Sequence, residues 1–446
     1  MPVEGRERGV RSPYNVRFGI TNPTYEGVNT QKAPMSLRDS EGPTGINLRI
    51  IGGRPINRGG QTRLNADTIQ TIHGFYDTTS EGAENARAGP AAPHNAFYAM
   101  GAILESSPAL GEFLHVGVDG VFLETTIEEA STASGSVVDY GGSQYGAVVV
   151  GTTATVVALP GGTTVLFTLP STGVAVEITG MVVQGTNLYV AWVDDQGTGG
   201  FDYKISKWDG ASLTEDYSDT SADHRAIILG LFGTTPYAGF VDQFNSATNT
   251  ILKRVSAGTW SSISLPSATW FKAHSFAVLG LRLYVIGSDD TNTDGDEDVF
   301  RIYSTDGSTA TLDRTIANPA VPVSPAGVTI SQLGVVGTDL YYWYHDGVGG
   351  VQFSVIGKYN GSTWTDTFKD IGADLASESY KKILGFVISA DGADVVALDD
   401  IMGVHIWQSP GPDISGTWTR VLSYTSTGMF YLHSLQPPTM MKGVVS

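Results

Sequence analysis

The stretch MVVQGTNLYVAWVDDQGTGGFDYKISKWDGASL, Met181 to Leu213, decides the fold of this 446-residue chain. It reads as an apolar strand, a polar turn, an aromatic strand, a Gly/Asp loop, another strand and a short Trp-bearing strand. The same order returns at Ala226 to Leu265, Ser275 to Leu312, Val328 to Phe368 and Lys382 to Leu422. A repeat of short strands and turns is typical of a β-propeller, in which each copy forms one four-stranded blade.

Tyrosines recur at one position of the second strand in these copies. Tyr189, Tyr237, Tyr284 and Tyr341 lie 48, 47 and 57 residues apart. Each interval is long enough for one blade with its loops. Tryptophans also recur at one place in the blade, so we expect them to pack between blades rather than to bind a ligand. They are Trp208, Trp260, Trp364 and Trp418.

Two less regular copies lie upstream, at Phe113 to Thr126 and at Gly146 to Pro170. A propeller must also close its ring, because an open first or last blade exposes unpaired strand edges. Apolar segments stand at both ends of the repeats, Thr71 to Asp77 and Met429 to Leu435, and we expect them to pair in one closing sheet. The sequence therefore predicts an all-β fold, a β-propeller of about seven four-stranded blades over residues 71–446.

Charge is divided unevenly along the chain, whose formal net charge is −19. Residues 1–70 hold ten Lys and Arg against six Asp and Glu, a balance of +4, so the remaining residues hold sixteen against thirty-nine, a balance of −23. So acidic a body should repel nucleic acid phosphates. The absence of cysteine excludes disulfides, thiolate metal sites and cysteine nucleophiles. No apolar run of about 18 residues is present, and the N-terminus MPVEGRERGVRSPYNVRF lacks an apolar core, so we expect no membrane segment and no secretory signal.

Residues 1–70 differ from the repeats in having scattered Gly, Pro and Arg and one clear strand, INLRII at Ile46 to Ile51. With so few apolar side chains, this segment is expected to be an extended N-terminal arm that lies on a neighbouring molecule; a solvated tail is the alternative. The order Gly27-x-Asn29, Pro34, LRDSEG, then Asn47 to Gly60, then IHGFYD at the first blade resembles the start of phage tail nozzle or tail-tube-B-like proteins. In that family such an arm leads into a β-propeller.

The resemblance implies a structural virion protein of a phage tail, made in the host cytoplasm and placed below the portal and adaptor. It implies a homo-oligomeric ring, for example a hexamer, around the DNA exit channel, with other virion proteins as partners and no enzymatic activity. DNA would pass without specific binding, which agrees with the acidic body. Four arginines of the arm are predicted docking contacts, with solvated surface charge as the alternative. They are Arg49, Arg54, Arg58 and Arg63.

The loop GSDDTNTDGDED, Gly287 to Asp298, has oxygen-bearing side chains at alternating positions and a glycine for a sharp turn, which is typical of a calcium loop. An EF-hand is excluded, because its twelfth position would be Arg301 and strands flank the loop. The spacing D-x-N-x-D-G-x-x-D resembles the calcium hairpins of integrin-type propellers. That resemblance implies a structural Ca²⁺ bound by the side chains of Asp290, Asn292, Asp294 and Asp298 and the main chain of Asp296. A solvated acidic turn is the alternative.

Motifs of enzymes are scarce. The chain contains no G-x-S-x-G, H-E-x-x-H or G-x-x-x-x-G-K-[ST]. The segment Ile406 to Ser423 is similar to the Asp-box of sialidase-like propellers, a structural motif, and a sialidase would also need a cluster of arginines.

The alternative function is a carbohydrate-binding or sialidase-like propeller on the virion or cell surface. Exposed rings of Tyr341, Trp343 and Tyr344 would support it, although strand alternation predicts that at least one is buried.

Overall fold

The computed structural model describes residues 48–51, 54–57, 62–63, 71–72, 97–103, 110–116, 122–127, 132–159, 164–221, 225–242, 249–291, 299–317, 330–345, 354–375, 380–399, 404–424 and 430–436. Contacts divide the chain into two units, Met1–Ala92 with Asp119–Phe122 and Pro93–Val118 with Leu123–Ser446. In the first unit, two antiparallel pairs are described. They are β1 (Leu48–Ile51) with β2 (Arg54–Asn57) and β3 (Thr62–Arg63) with β4 (Thr71–Ile72). The domain boundary expected between residues 70 and 71 stays a prediction.

Three strands, β5 (Phe97–Ile103), β6 (Leu110–Val116) and β7 (Phe122–Ile127), precede six blades of four consecutive antiparallel strands. Blade 1 contains β8 (Thr132–Tyr140), β9 (Ser143–Val150), β10 (Thr153–Leu159) and β11 (Val165–Thr168). Blade 2 contains β12 (Ala175–Gln184), β13 (Asn187–Asp195), β14 (Phe201–Trp208) and β15 (Leu213–Ser221). Blade 3 contains β16 (Arg225–Phe232), β17 (Thr235–Asp242), β18 (Thr250–Ser256) and β19 (Thr259–Ser264).

Blades 4 to 6 continue the same pattern. Blade 4 contains β20 (Trp270–Leu279), β21 (Arg282–Asp290), β22 (Val299–Thr305) and β23 (Ala310–Ala317). Blade 5 contains β24 (Ile330–Val336), β25 (Asp339–His345), β26 (Ser354–Tyr359) and β27 (Trp364–Asp370). Blade 6 contains β28 (Tyr380–Ser389), β29 (Gly392–Asp399), β30 (Val404–Gln408) and β31 (Thr419–Tyr424). The last strand is β32 (Phe430–Gln436).

Helical structure is short in the described residues: a single turn of α-helix, α1 (Gly372–Leu375), and a 3-10 turn (Gly197–Gly199). None of these is long and apolar enough to cross a membrane. The first strand of each blade contacts the first strand of the next, from β8 through β12, β16, β20 and β24 to β28. First strands therefore form the inner edge and fourth strands the outer edge of a β-propeller, as predicted.

One further four-stranded sheet has the order β32-β5-β6-β7, and its inner strand β32 contacts both β28 and β8. The expected count of about seven is thus corrected to six blades of consecutive strands, with one composite sheet besides. In that sheet Phe430 stands opposite Ile103 and Gln436 opposite Tyr98. The prediction that Thr71 to Asp77 would close the sheet is wrong, because Thr71 and Ile72 pair with β3.

The core of this unit lies between blades. Five clusters of buried side chains each draw from two neighbouring blades, and the repeated tyrosines occupy successive clusters. Tyr189 packs between blades 2 and 3, Tyr237 between 3 and 4, Tyr284 between 4 and 5, and Tyr341 between 5 and 6. Because second strands are covered on both faces, β13 is buried over seven consecutive residues. Its near-continuous apolar sequence follows from that position.

Alternate blades share irregularities. The first strands of blades 2, 4 and 6 carry a β-bulge, at Thr179, His274 and Leu384, whereas β16 and β24 pair with their neighbours without one. The fourth strands of the same three blades are also bulged, at Asp216, Asp313 and Val421. A bulge re-aims the extra residue out of the ladder. Pairing is also irregular in the fourth strands of blades 1 and 5 and in β8, so blades 2, 4 and 6 share both bulges without imposing a strict two-blade repeat.

Candidate functional site

The predicted calcium ligands are described only in part. Asp290 is the last residue of β21, lies opposite Trp270 and is 1% exposed. Asn292, Asp294, Asp296 and Asp298 lie outside the described residues. Within the described ranges, no three His, Asp or Glu side chains are grouped so that they could hold a metal ion. The calcium site thus stays a prediction.

The predicted docking arginines lie in the first unit. Arg49 is on β1, Arg54 on β2 and Arg63 on β3, whereas Arg58 lies outside the described residues. In the hairpin of β1 and β2, Arg49 stands opposite Ile56. Their docking role stays a prediction.

The aromatic rings whose exposure would have supported sugar binding are all buried, and the prediction that at least one of them is buried is confirmed. Tyr341, Trp343 and Tyr344 are 8%, 0% and 4% exposed, and Tyr342 between them is fully buried. Alternation would leave one face of β25 open, but neighbouring blades cover both faces. Burial raises the pKa of Tyr344 to about 12, which also keeps this hydroxyl neutral. These rings belong to the core and cannot stack on a ligand.

The described arginines of the blades do not form the cluster that would bind the carboxylate of a sialidase substrate. Four of them bind separate partners: Arg254 binds Asp216, Arg282 binds Ser304, Arg301 binds Asp289 and Arg314 binds Asp366. The segment similar to an Asp-box also has a structural contact, since Asp413 accepts the N–H of Ser415. Equivalent turns after the third strands use Asp209, Asp306 and Asn360 in the same way.

In blade 2, an aspartate near the end of the second strand holds the loop that precedes the first strand. The buried Asp194 accepts the Ser171 hydroxyl at 2.6 Å and the N–H groups of Thr172 and Gly173 at 3.1 and 3.0 Å. Lys204 of β14 lies 3.5 Å from the same carboxylate. Burial opposes ionisation, but these hydrogen bonds outweigh it and lower the pKa of Asp194.

Blade 4 repeats this arrangement. Asp289 of β21 accepts the N–H of Thr269 at 3.1 Å and of Trp270 at 2.8 Å, and it pairs with Arg301 of β22 at 2.9 Å. Arg301 also donates to the carbonyl of Ser267, which has a φ of 67°. In this blade burial dominates and raises the pKa of Asp289. Because two blades use the aspartate alike, we interpret it as a structural element rather than a catalytic group.

The seam between blades 2 and 3 contains a buried ion pair. Asp216 of β15 is 4% exposed and accepts Nε and Nη2 of Arg254 at 2.6 and 2.8 Å. It also accepts the Gly258 N–H at 3.1 Å and Trp260 Nε1 at 3.0 Å. Burial opposes ionisation, yet these donors lower the pKa of Asp216. All four donors come from blade 3, so one carboxylate fastens two blades.

The seam between blades 4 and 5 contains a more open pair. Arg314 Nε of β23 donates to Asp366 Oδ1 of β27 at 2.8 Å, and the Tyr342 hydroxyl donates to the same oxygen at 2.8 Å. The Arg314 and Asp366 side chains are 38% and 29% exposed. Beside them the half-buried ring of Trp364 stacks on Tyr359, with centroids 4.2 Å apart, and lies 5.6 Å from the Tyr342 ring. These five residues form what we call the 4/5 groove.

Sequence reasoning did not predict the aspartates at the blade seams or those near the ends of the second strands. Asp216 and Asp313 lie 97 residues apart, and Asp194 and Asp289 lie 95 apart. A comparison of alternate blades at this double period would have found both pairs. Two histidines in the blade strands occupy core or rim positions: His405 is 8% exposed, and His274 bridges Ser331 at 2.8 Å and Ser288 at 3.3 Å. The side chains of His115 and His224 lie outside the described residues.

Comparisons with known proteins complete the description. No family model matches the chain, and no curated protein matches it. Among solved structures, a neuraminidase-like protein from A/bat/Guatemala/164/2009 is 11% identical, with 61% of this chain and 93% of that chain covered and a TM-score of 0.36. Aleuria aurantia lectin, in complex with Fucα1-6GlcNAc, is 11% identical over 66% of this chain and 97% of that chain, with a TM-score of 0.39.

The SapL1 lectin, in complex with alpha methyl fucoside, is 14% identical over 66% of this chain and 97% of that chain, with a TM-score of 0.41. The identities and TM-scores of all three structures are too low for the likeness to support a statement about function. The assignment of the chain to the β-propellers therefore depends on its own sheet topology.

Proposed function

We propose that this chain is a non-catalytic, carbohydrate-binding β-propeller and that the 4/5 groove is its binding site. The observation that carries the proposal is the partly exposed pair of Arg314 and Asp366 beside the stacked rings of Tyr359 and Trp364. Sugars present apolar C–H faces and polar hydroxyls side by side. Aromatic rings offer a surface for the first, and charged planar groups offer hydrogen bonds to the second.

Preorganisation supports the same conclusion. Asp366 is held by Arg314 and Tyr342, and although burial opposes ionisation these contacts lower its pKa, so the carboxylate stays an acceptor at neutral pH. Trp364 is fixed by rings on two sides, Tyr359 and Tyr342. Little side-chain freedom would be lost on binding, which favours affinity.

A glycan array with the labelled full-length protein tests this proposal. We expect binding to a defined set of glycans, and for those glycans a loss of affinity of about tenfold or more in Trp364→Ala and Arg314→Ala, which is typical of a central interface residue. Val174→Ala, a change at a 63% exposed side chain outside the groove, is the matched control and should bind as the parent does. Binding that survives both groove variants would move the site elsewhere, and an array without any signal would remove the function.

The second candidate is a structural virion protein of a phage tail, and a different observation favours it. The sequence of residues 1–70 resembles tail nozzle arms, and this basic segment is joined to a body with a charge of −23. A ring of such bodies would present a negative wall to DNA, so that phosphates would pass without sticking. The arm, with Arg49, Arg54, Arg58 and Arg63, would dock the ring to adaptor or portal proteins.

Incorporation into particles tests the second candidate. In a phage encoding this chain, the full-length protein should be found in purified tails, and a chain lacking residues 1–65 should be absent from them. Replacing the four arginines by alanine should reduce incorporation in the same way. A shortened chain that still enters particles would contradict the docking role of the arm, and a full-length chain missing from tails would contradict the virion location.

A further inference from the structure

Asp313 occupies the same place in blade 4 as Asp216 does in blade 2. Each is the extra residue of the bulge in its fourth strand, β23 or β15. Asp216 binds Arg254 of the next blade, and Asp313 lies near Tyr284, which packs in the cluster between blades 4 and 5. In blade 3, Arg254 stands opposite Trp260, and in blade 5, Tyr359 stands opposite Trp364. Tyr359 therefore takes the position from which Arg254 neutralises Asp216.

Because Tyr359 stands where blade 3 has Arg254, the negative charge of an ionised Asp313 would be poorly neutralised. Its Oδ2 is shielded from solvent and has no hydrogen-bond partner among the described residues. Ser304 of β22 donates one hydrogen bond to the carboxyl group, and Arg282 of β21 contributes its charge from the same blade. Arg282 itself is engaged by the Ser304 hydroxyl at 2.8 Å and by Thr311 at 3.2 Å. Burial outweighs both contributions and raises the pKa of Asp313.

The groups that face Asp313 are few. From β21 they are Arg282 and Tyr284, and from β22 Ser304. Tyr359 of β26 lies beside Tyr284, with the two rings 6.4 Å apart. The neighbouring Arg314 is bound to Asp366 and does not neutralise Asp313. Besides the Arg314–Asp366 pair, the seam thus holds a second carboxyl group, Asp313, whose equivalent in the other seam is part of a buried ion pair.

We propose that the seam between blades 4 and 5 is pH-sensitive: it packs tightly while Asp313 is protonated and loosens when Asp313 ionises. A carboxyl group whose pKa is higher in the folded than in the unfolded chain contributes stability at low pH. That contribution is lost as the pH rises from about 3.9, the ordinary value for Asp, through the folded value. The seam between blades 2 and 3 has the opposite dependence, since the pKa of Asp216 is lowered. This inference does not depend on glycan binding.

Hydrogen exchange of the full-length protein, followed by mass spectrometry and corrected for the intrinsic rate at each pH, tests the proposal. A local readout is needed, because the raised pKa of Asp289 acts on overall stability in the same direction. Between about pH 4 and pH 7, protection in β23 and β26 should fall about threefold or more relative to β15 and β18. Asp313→Asn, which imitates the protonated form, should abolish this fall.

Tyr359→Arg provides a second variant, because it transplants the cation that serves Asp216. It should likewise hold the protection of β23 and β26 constant with pH. If the parent and Asp313→Asn show the same fall, or if Asp313→Asn does not fold and Tyr359→Arg retains the fall of the parent, the seam is not controlled by Asp313. Asp216→Asn is the matched control and should loosen the seam between blades 2 and 3 at neutral pH.

Discussion

Asp216→Ala is expected to lower the free energy of unfolding by about 3 kcal/mol, because Arg254 would remain charged in a buried seam without its partner. The Arg254 side chain is 14% exposed and that of Asp216 is 4% exposed, so water cannot replace the lost carboxylate. The Gly258 N–H and Trp260 Nε1 would lose their acceptor as well. Denaturant unfolding followed by tryptophan fluorescence measures the change.

Asp366→Ala is the matched control for this prediction. It also removes the acid of an Arg–Asp pair that joins two blades, but its partner Arg314 is 38% exposed. Solvent would rehydrate the arginine, and the Tyr342 hydroxyl would lose one acceptor, so the cost should be about 1 to 2 kcal/mol, less than for Asp216→Ala. Equal losses in the two variants would show that burial does not set the contribution of these pairs.

The sequence predicts the propeller because its core is repetitive. Every second strand is sandwiched between blades, so tyrosines such as Tyr189 and Tyr237 return wherever a new seam is filled. The same sandwich explains why Tyr341, Trp343 and Tyr344 are all buried, although alternation predicted this for at least one of them. Strand alternation assumes one exposed face, and β25 has none over Leu340 to Tyr344.

Ring closure was harder to predict, because any apolar strand near the start could pair with the C-terminal one. Phe97–Ile103 takes that place, although Thr71 to Asp77 has a similar pattern in sequence. Such a choice is made by long-range packing rather than by local propensity. The positions of the tryptophans within the blade were also hard to predict from the sequence. Trp208 ends a third strand, whereas Trp260 and Trp364 lie on fourth strands, so the tryptophans stand before or after the turn that joins these two strands.

The shared position of the charged seam residues could be predicted only by comparing blade 2 with blade 4. Neighbouring blades differ in their bulges, so Asp216 has no counterpart in blade 3 but has one, Asp313, in blade 4. Sequence comparison also cannot tell that Arg254 reaches across a seam, whereas Tyr359 in the same position stacks within its own blade. The two seams thus share a backbone and differ in their chemistry. Glycan binding and pH response are both proposed for the seam in which Tyr359 stands at the position of the arginine that binds Asp216.

Gly287→Ala is expected to destabilise the protein by about 3 kcal/mol or more, the upper end of overpacking costs. Gly287 stands opposite Ala273 on β20, next to the bulge at His274. A Cβ there would lie 2.8 Å from the carbonyl carbon of Lys272, closer still to its oxygen, and 2.7 Å from Cζ of Phe271. Because the obstacle is backbone within a paired strand, relief requires the bulge to shift.

Gly180→Ala gives the matched control, since Gly180 also lies beside a first-strand bulge, in blade 2. Its Cβ would meet the Leu229 N and Ile227 O atoms at 3.2 and 3.3 Å, a contact that a shift of a few tenths of an ångström relieves. We therefore expect a cost of about 1 kcal/mol, measured by the same denaturant unfolding. Should the two variants unfold at the same denaturant concentration, close backbone packing at the bulge would not be what requires glycine at position 287.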